Sequence, residues 1–444
     1  MMDRRAFVGR SAAFAALSLP MLERFERVVP LRANGARVNS WLAQFDKVGR
    51  TSGGINRVGY SEGDLAGRAF TILLLKAAGL TPRIDAAGNI IARVEGTDPS
   101  LEPIVIGSHV DSVPDGGNYD GPVGSFGAIE VARSLGEQGV RLRHPLEVVV
   151  WSNEEGGLVG SKYAVGDGGS MSLDTVARSG RTIREGIGLV GGDVARLVEA
   201  VRAPGSAGCY LELHIEQGGL LERAGLQIGV VQGIVGLRFI DVTIEGLTNH
   251  AGTTPMDQRQ DAMLAAAKFT VAVNDAVRAM PGRQVATVGR VVPSPNTRNV
   301  IAGRVDLTVD ARDLDQAKLG TLATTIERLG QEVGIATNTR VTMRLNQRSE
   351  PAHADAGLMT AIEGSTALLG LTSQRMPSGA GHDAQSMARI APMGMIFVPS
   401  VGGISHAPQE FTKPEDVAHG VDVLLNAVLA ADGASWRGVG GGGV

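Results

Sequence analysis

The segment Leu146–Trp151, LEVVVW, is apolar at almost every position, and a shorter run of the same kind precedes it at Ile104–Ile106. A strand with one face in water alternates apolar and polar residues, so a continuous apolar strand must be covered on both faces. Ser125–Gln138 between them reads as a helix, and Met393–Val398 repeats the apolar strand much later. Strands of this type separated by helices predict an α/β fold, a sheet with helices on both faces. Sites in such folds form in the loops at the carboxyl ends of the strands. Helices over Arg37–Val48 and Glu62–Gly79, and a hairpin of Ile84–Asp85 with Ile90–Val94 turned at Gly88–Asn89, complete the early part.

Past Gly233 the pattern changes. Phe239–Glu245, Val285–Val292, Arg304–Ala311 and Arg340–Leu345 read as strands, with helices at Asp257–Met280 and Asp315–Gly334. The order β-α-β-β-α-β is the ferredoxin-like plan. A chain of 444 residues exceeds one ordinary core. We therefore expect a two-domain chain: a catalytic α/β domain formed by residues 37–232 and 347–432, and an inserted α+β lid and dimerisation domain at 233–346. Hinges are expected near Gly233 and Asn346–Glu350. The catalytic part resumes with a helix at Leu358–Leu369, the strand Met393–Val398 and a helix at Lys413–Ala430 capped near Thr412.

The ends differ in character. Arg4-Arg5-Ala6-Phe7-Val8 followed by the Ala-rich Ser11–Leu19 resembles a twin-arginine export signal, so residues 1–36 are read as a signal-like segment and the protein as periplasmic. A plain N-terminal helix on a cytoplasmic protein is the alternative. The glycine-rich residues 433–444 read as a disordered tail.

A net charge of −4, an aromatic share of 4% and the lack of any Lys/Arg-dense run speak against nucleic-acid binding. No apolar run has the length of a membrane span. Cys209 is the only cysteine, which excludes an intrachain disulfide and a thiolate cluster, so a metal would have to sit on His, Asp and Glu. Such residues gather in several loops. Gly107–Gly124, GSHVDSVPDGGNYDGPVG, begins as a buried strand and brings His109, Asp111, Asp115 and Asp120 together. Taken alone it reads equally as a metal site or as an acidic surface turn. Glu154-Glu155 follows the strand that ends at Trp151. In Leu211–Gly218 the alternating Leu211, Leu213 and Ile215 put Glu212, His214 and Glu216 on the opposite face of a strand. His250, His382 and His406 lie in further loops.

Read together, HIEQG at His214–Gly218, HAGTTPM at His250–Met256, SGAGHDA at Ser378–Ala384 and GISHAPQE at Gly403–Glu410 make the chain similar to the dinuclear-metal amidohydrolases of the aminoacylase and carboxypeptidase superfamily. Within it the chain resembles the branch of N-carbamoyl-L-amino-acid hydrolases, beta-ureidopropionases and allantoate amidohydrolases, from about Asn39 to Ala430. The resemblance implies two divalent metal ions per subunit, with zinc the first choice and manganese, cobalt or nickel the others. It implies that Asp120 bridges them, that His109 and His214 hold one and Glu155 and His406 the other. Asp111 would orient His109, and Glu154 would be the general base. His250, which in relatives reaches across from a second subunit, and Asn299 would meet the substrate or its oxyanion. Arg312 would grip the substrate carboxylate, and Gln217, Gly381 and His382 would complete the pocket.

The implied reaction is hydrolysis of a ureido C–N bond. An N-carbamoyl-L-amino acid is the leading substrate, giving amino acid, CO2 and ammonia, with allantoate or a beta-ureido acid as alternatives. The implied assembly is a homodimer through the inserted domain. A wider-superfamily peptidase or aminoacylase is disfavoured by HIEQG, and an inactive solute-binding protein by the complete ligand set with Glu154. The chain departs from its relatives at Gly157-Leu158-Val159-Gly160, where many carry an Arg-Phe pair and a longer loop, and at the helix opening GPVGSFGA. Both departures bear on substrate preference.

Overall fold

The computed structural model describes residues 29–434. Its larger sheet has nine strands. At its centre Leu146–Trp151, Ile104–His109, Cys209–Ile215 and Met393–Val398 lie side by side and parallel. The hairpin Arg83–Ile84 with Ile90–Val94 extends one edge, and Ile228–Ile234, Ser373–Ser378 and Ala352–His353 the other.

Alternation along the strands sorts the side chains into two cores. Ile104, Ile106, Val148, Leu211, Leu213 and Ile396 face helices Gly35–Phe45, Glu62–Ala77, Pro122–Glu137, Ala356–Leu368 and Pro414–Asp432. Val105, Val149, Trp151, Tyr210 and Phe397 face the opposite way, against the short helices Val159–Ala164 and Asp383–Met387. Full burial of a Val, Leu or Ile side chain contributes about 1.5–3 kcal/mol, and here both faces of each strand gain it. This is the two-sided α/β arrangement expected from the apolar runs. The one charge in LEVVVW, Glu147, is 7% exposed and held by Arg93 at 3.0 Å and Arg202 at 2.6 Å.

The register brings the strand ends level. His109 lies opposite Trp151, and Ile215 opposite Val398. The loops after all four strands therefore emerge at one edge of the sheet.

The smaller sheet is antiparallel, ordered Arg340–Ser349, Gly236–Glu245, Arg304–Asp313, Val285–Ser294. Helices Ala262–Ala279 and Gln316–Thr337 pack on one of its faces through Phe269, Val273, Leu322 and Ile326. The strand-and-helix order is the ferredoxin-like one. Hydrogen bonds tie the two sheets' regions together: Val235 donates its amide to the Ser378 carbonyl at 3.0 Å, and the Gln385 amide to the Glu350 carbonyl at 2.9 Å.

Several boundaries differ from those expected. The helix after Asp120 starts at Pro122, not Ser125, because proline at the first turn needs no amide hydrogen-bond partner. The helix expected from Asp257 starts at Ala262, where the Asp261 carboxylate accepts from the amides of Met263 and Leu264. The final helix is capped at Lys413, next to Thr412 and within the expected place, with Pro414 opening it, while the Thr412 hydroxyl bonds to the Pro399 carbonyl. Residues 1–28 and 435–444, which hold the twin arginine and most of the glycine tail, lie outside the described residues.

Candidate active site

Asp120 sits where the loop after Ile104–His109 turns into helix Pro122–Glu137, and its two oxygens face two groups of side chains. Oδ1 is 3.1 Å from His214 Nε2 and 3.4 Å from His109 Nε2. Oδ2 is 3.2 Å from His406 Nε2, which is also 3.3 Å from Glu155 Oε1. The potential ligand atoms of His109, Asp120 and His214 lie within 4.8 Å of one another, as do those of Asp120, Glu155 and His406. The other four residues implied as metal ligands therefore gather around the Asp120 carboxylate at the ends of four neighbouring strands.

Both buried imidazoles have a fixed tautomer. His109 donates Nδ1–H to the Asp111 carbonyl at 3.1 Å, and His214 donates Nδ1–H to the Ile215 carbonyl at 2.9 Å. Each Nε2 is thereby aimed at Asp120, the atom through which the ring could bind a metal once its proton is lost. Orientation of His109 thus falls to the main chain of Asp111. The Asp111 carboxylate, expected to do this, is 3.7 Å from Nδ1 and instead accepts the amides of Glu154 at 3.2 Å and Glu155 at 3.1 Å. It fixes the backbone that carries the glutamate pair.

Local conformation explains how adjacent glutamates both enter the site. Asn153 has φ of 52°, which turns the chain sharply at the end of Leu146–Trp151. Its side chain fills a slot between Gly59 and Gly156, where an added Cβ would lie 2.1 Å from Asn153 Oδ1. Gly121, at φ 80°, leaves room for the His109 ring, which an added Cβ would approach to 2.5 Å.

The electrostatics are those of a carboxylate-rich pocket. Burial works against the Asp120 charge, yet His214, His109 and His406 hold it well below the usual carboxylate range. Burial, with Asp383 and Glu155 nearby, pushes Glu154 well above that range against the pull of His109. Burial and Asp120 push Glu155 up to about 7. His406, bonded to Asp120, is raised to about 9. Glu155 Oε1 and both oxygens of Asp383 are buried without a hydrogen-bond partner. Buried carboxylates are stable when a cation faces them, so the orphaned oxygen and the N/O donor set fit divalent metal ions.

The pocket residues divide into two sets. Gln217, Gly381, His382 and Arg312 line a cavity of about 1060 Å³ together with Asp120, Glu154, Glu155 and His406. Gln217, at φ 57°, donates its side-chain amide to Asp120 Oδ2 at 2.6 Å. His382 is 1% exposed, with its ring 4.4 Å from that of His214 and its Nε2 2.9 Å from Ser378 Oγ, so it forms the floor beneath His214. Burial and His214 keep it neutral. Arg312 is braced by Asp310 through Nε at 3.0 Å and Nη2 at 2.7 Å, and donates Nη1–H to the Gly379 carbonyl at 2.7 Å. His250 and Asn299 are not brought to the cavity. They are exposed neighbours on the ribbon of Asn249–His250 and Val300–Ile301, where His250 Nδ1 accepts the amides of Gly252 and Thr253. Asp115 pairs with Asn56 of the separate loop that precedes helix Glu62–Ala77.

One residue with a large role carried no expectation. Glu410 Oε1 accepts the amides of Tyr119 at 2.9 Å and Asp120 at 3.0 Å, and Oε2 accepts Ser405 Oγ at 2.9 Å and the His406 amide at 3.2 Å. A single carboxylate thereby ties the Asp120 loop to the His406 loop. The available signal was its place at the end of GISHAPQE.

A model of the peptidase family M20/M25/M40 matches residues 105–430. The N-carbamoyl-L-amino acid amidohydrolase of Geobacillus stearothermophilus is 38% identical over 400 residues, 89% of this chain and 98% of the relative. The ureidoglycolate hydrolase of Arabidopsis thaliana is 35% identical over 389 residues, 83% of this chain and 80% of its own. Among solved structures, a hydantoinase/carbamoylase-family amidase from Burkholderia multivorans has a TM-score of 0.83 at 35% identity, covering 92% of this chain and all 100% of its own. Members of the family generally bind divalent metals, for which this chain has the residue groups described above. The chain belongs to the peptidase family M20/M25/M40, and is a hydrolase of that family.

Proposed function

We propose that the protein hydrolyses the ureido C–N bond of an N-carbamoyl-L-amino acid, releasing ammonia, CO2 and the amino acid. The observation that carries this reading is the Asp120 carboxylate with one oxygen toward each of two ligand groups and Glu154 alongside, its Oε2 3.8 Å from His109 Nε2. The names of the relatives supply the substrate class.

His109, Asp120 and His214 would hold one divalent ion, and Asp120, Glu155 and His406 a second, zinc first and manganese, cobalt or nickel as substitutes. Such ions acidify water and polarise a carbonyl when bound. Glu154 takes a proton from the attacking water and returns it to the leaving nitrogen, which departs as ammonia. The remaining carbamate loses CO2. Burial raises Glu154 above the usual carboxylate range, which makes it a stronger base for taking up that proton. Arg312, held in place by Asp310 and Gly379, keeps two N–H groups for the substrate carboxylate.

Because Arg312 stands on the smaller sheet and the metal ligands on the larger, substrate bridges the two, and closure about residues near Gly233 and Asn346–Glu350 completes the site. His250 and Asn299 belong to this scheme as groups presented to a second subunit, in a homodimer formed through the inserted domain. Its exposed apolar side chains support this: Val285, Val291 and Val292 on the edge strand, and Met263, Leu264 and Val271 on the helix Ala262–Ala279. The export reading of the twin arginine is kept as part of this proposal, with cytoplasmic residence as its alternative.

The test is ammonia release by purified protein loaded with zinc or manganese, offered N-carbamoyl-L-amino acids, allantoate and 3-ureidopropionate. Turnover of the carbamoyl amino acids above the other two supports the reading. Turnover of allantoate or ureidopropionate alone would replace the substrate, and no ureido hydrolysis at all would refute the activity.

A further inference from the structure

The departure at Gly157-Leu158-Val159-Gly160 has a structural result that the reaction scheme does not use. The Glu154 carbonyl accepts the amides of both Gly157 at 2.8 Å and Leu158 at 2.7 Å, and the helix Val159–Ala164 begins at once. This tight turn places Lys162 in the wall of the same cavity as Glu154 and Arg312. The side chain is half-buried, and among the described residues its ammonium has no carboxylate within 4 Å. Asp167, the nearest candidate by charge, is already paired with Arg389 at 2.8 Å. Burial lowers the Lys162 ammonium below its ordinary range, as expected for a cation short of a partner.

The cavity, at about 1060 Å³, stands at the upper end of small-molecule sites. A ureido group at the ligand cluster and a carboxylate at Arg312 leave much of it for the substrate's side chain. The part beyond Glu154 is lined by Leu158, Lys162, Asp167, Ser170 and Arg389. Arg389 and Asp167 are paired with each other there, and Lys162, which also feels the more distant charge of Glu154, is left as the wall's cation without a close carboxylate.

We propose that Lys162 is a specificity-determining residue that pairs with a carboxylate on the substrate's side chain, making carbamoyl derivatives of acidic amino acids, such as N-carbamoyl-L-aspartate and N-carbamoyl-L-glutamate, the preferred class. The inference rests on the proposed ureido hydrolysis and deepens it. Desolvated charge pairs of this kind separate ligands by ten-fold or more.

The experiment compares kcat and KM for the N-carbamoyl derivatives of L-aspartate, L-glutamate, L-alanine and L-methionine, using metal-loaded wild type, Lys162→Met and Lys162→Glu. Wild type is expected to show at least ten-fold higher kcat/KM on an acidic substrate than on the neutral ones. Lys162→Met is expected to erase that ratio through the KM of the acidic substrate, and Lys162→Glu to reverse it. Competitive inhibition of wild type by glutarate against butyrate gives a readout that needs no variant, with glutarate expected to bind at least ten-fold tighter. Equal kcat/KM on acidic and neutral substrates, an equal fall on both in Lys162→Met, or equal inhibition by the two acids would overturn the assignment while leaving ureido hydrolysis standing. Absence of turnover on every carbamoyl amino acid would remove both.

Discussion

Glu410→Gln is the substitution whose effect can be worked most fully from the structure. The change keeps the side chain's shape and alters only its hydrogen-bonding pattern. In the native site each carboxylate oxygen accepts two donors, Tyr119 and Asp120 amides on one and Ser405 Oγ and the His406 amide on the other. Glutamine can present its oxygen to one pair, but its NH2 then faces the other two donors. Hydrogen bonds to a charged group contribute about 1.5–3 kcal/mol each. Losing two costs about 3–6 kcal/mol; burial and the Asp120 charge raise the Glu410 pKa, so removing its charge recovers part of this, and the Ser405 hydroxyl can turn to accept where the NH2 replaces Oε2, so about 3 kcal/mol is expected. That is a large part of an ordinary domain's 5–15 kcal/mol, a general range of about that size. Because the same bonds set the Asp120 and His406 main chains, metal affinity should fall by about 10–100-fold, as for other outer partners of metal ligands. Urea unfolding of the chelator-treated protein reads the first effect, and competition with a zinc-binding dye the second. Unfolding within about 0.5 kcal/mol of wild type together with unchanged zinc affinity would show that Glu410 does not tie the two loops together.

Three further outcomes follow from the same geometry. Gly121→Ala forces a Cβ onto the His109 ring at a residue with φ of 80°, so a loss of at least about 2 kcal/mol in urea unfolding, with weakened zinc binding, is expected; wild-type values for both would contradict the close approach. Glu147→Gln should cost about 3 kcal/mol at neutral pH. Burial opposes the Glu147 charge, but Arg202 and Arg93 outweigh it and lower its pKa, so the contribution is present above the ordinary glutamate pKa and fades as pH falls through the lower folded value. The stability gap between wild type and Glu147→Gln should therefore close in acid, and a gap constant with pH would refute the ion pair's role. Arg312→Lys loses the planar fork braced by Asp310, so KM for a carbamoyl amino acid should rise by about ten-fold or more with a smaller change in kcat; an unchanged KM would remove Arg312 as the carboxylate grip.

The central sheet was readable because burial on both faces writes an unbroken apolar run, as in Ile104–Ile106 and Met393–Val398. The three strands at the far edge, Ile228–Ile234, Ala352–His353 and Ser373–Ser378, were not. Ser373–Ser378 carries Gln374, Arg375 and Pro377, and Pro377 sits where the register with Ile228–Ile234 shifts. The start of the helix at Pro122 was obscured because the glycines around it read as loop. In the site, the resemblance carried by HIEQG and GISHAPQE is what singled out His109, Asp120, Glu155, His214 and His406, and the strand ends bring them together. What they do not reveal is which atom of a residue acts. The Asp111 carbonyl orients His109 while its carboxylate holds the glutamate pair, and Glu410 works through main-chain amides that no motif records. His250 and Asn299 show the opposite case, since a single folded chain leaves them exposed and outside the cavity.

The most direct test of the account is ammonia release from an N-carbamoyl-L-amino acid by wild type and Glu154→Gln, each first brought to two bound metal ions per chain. Both proteins should reach that metal content, since Glu154 is not among the proposed ligands, and the glutamine variant should lose about 10²–10⁴-fold in kcat, the range for a missing general base. A variant that retains wild-type kcat at full metal content, or a wild type that binds both ions and releases no ammonia, would contradict it.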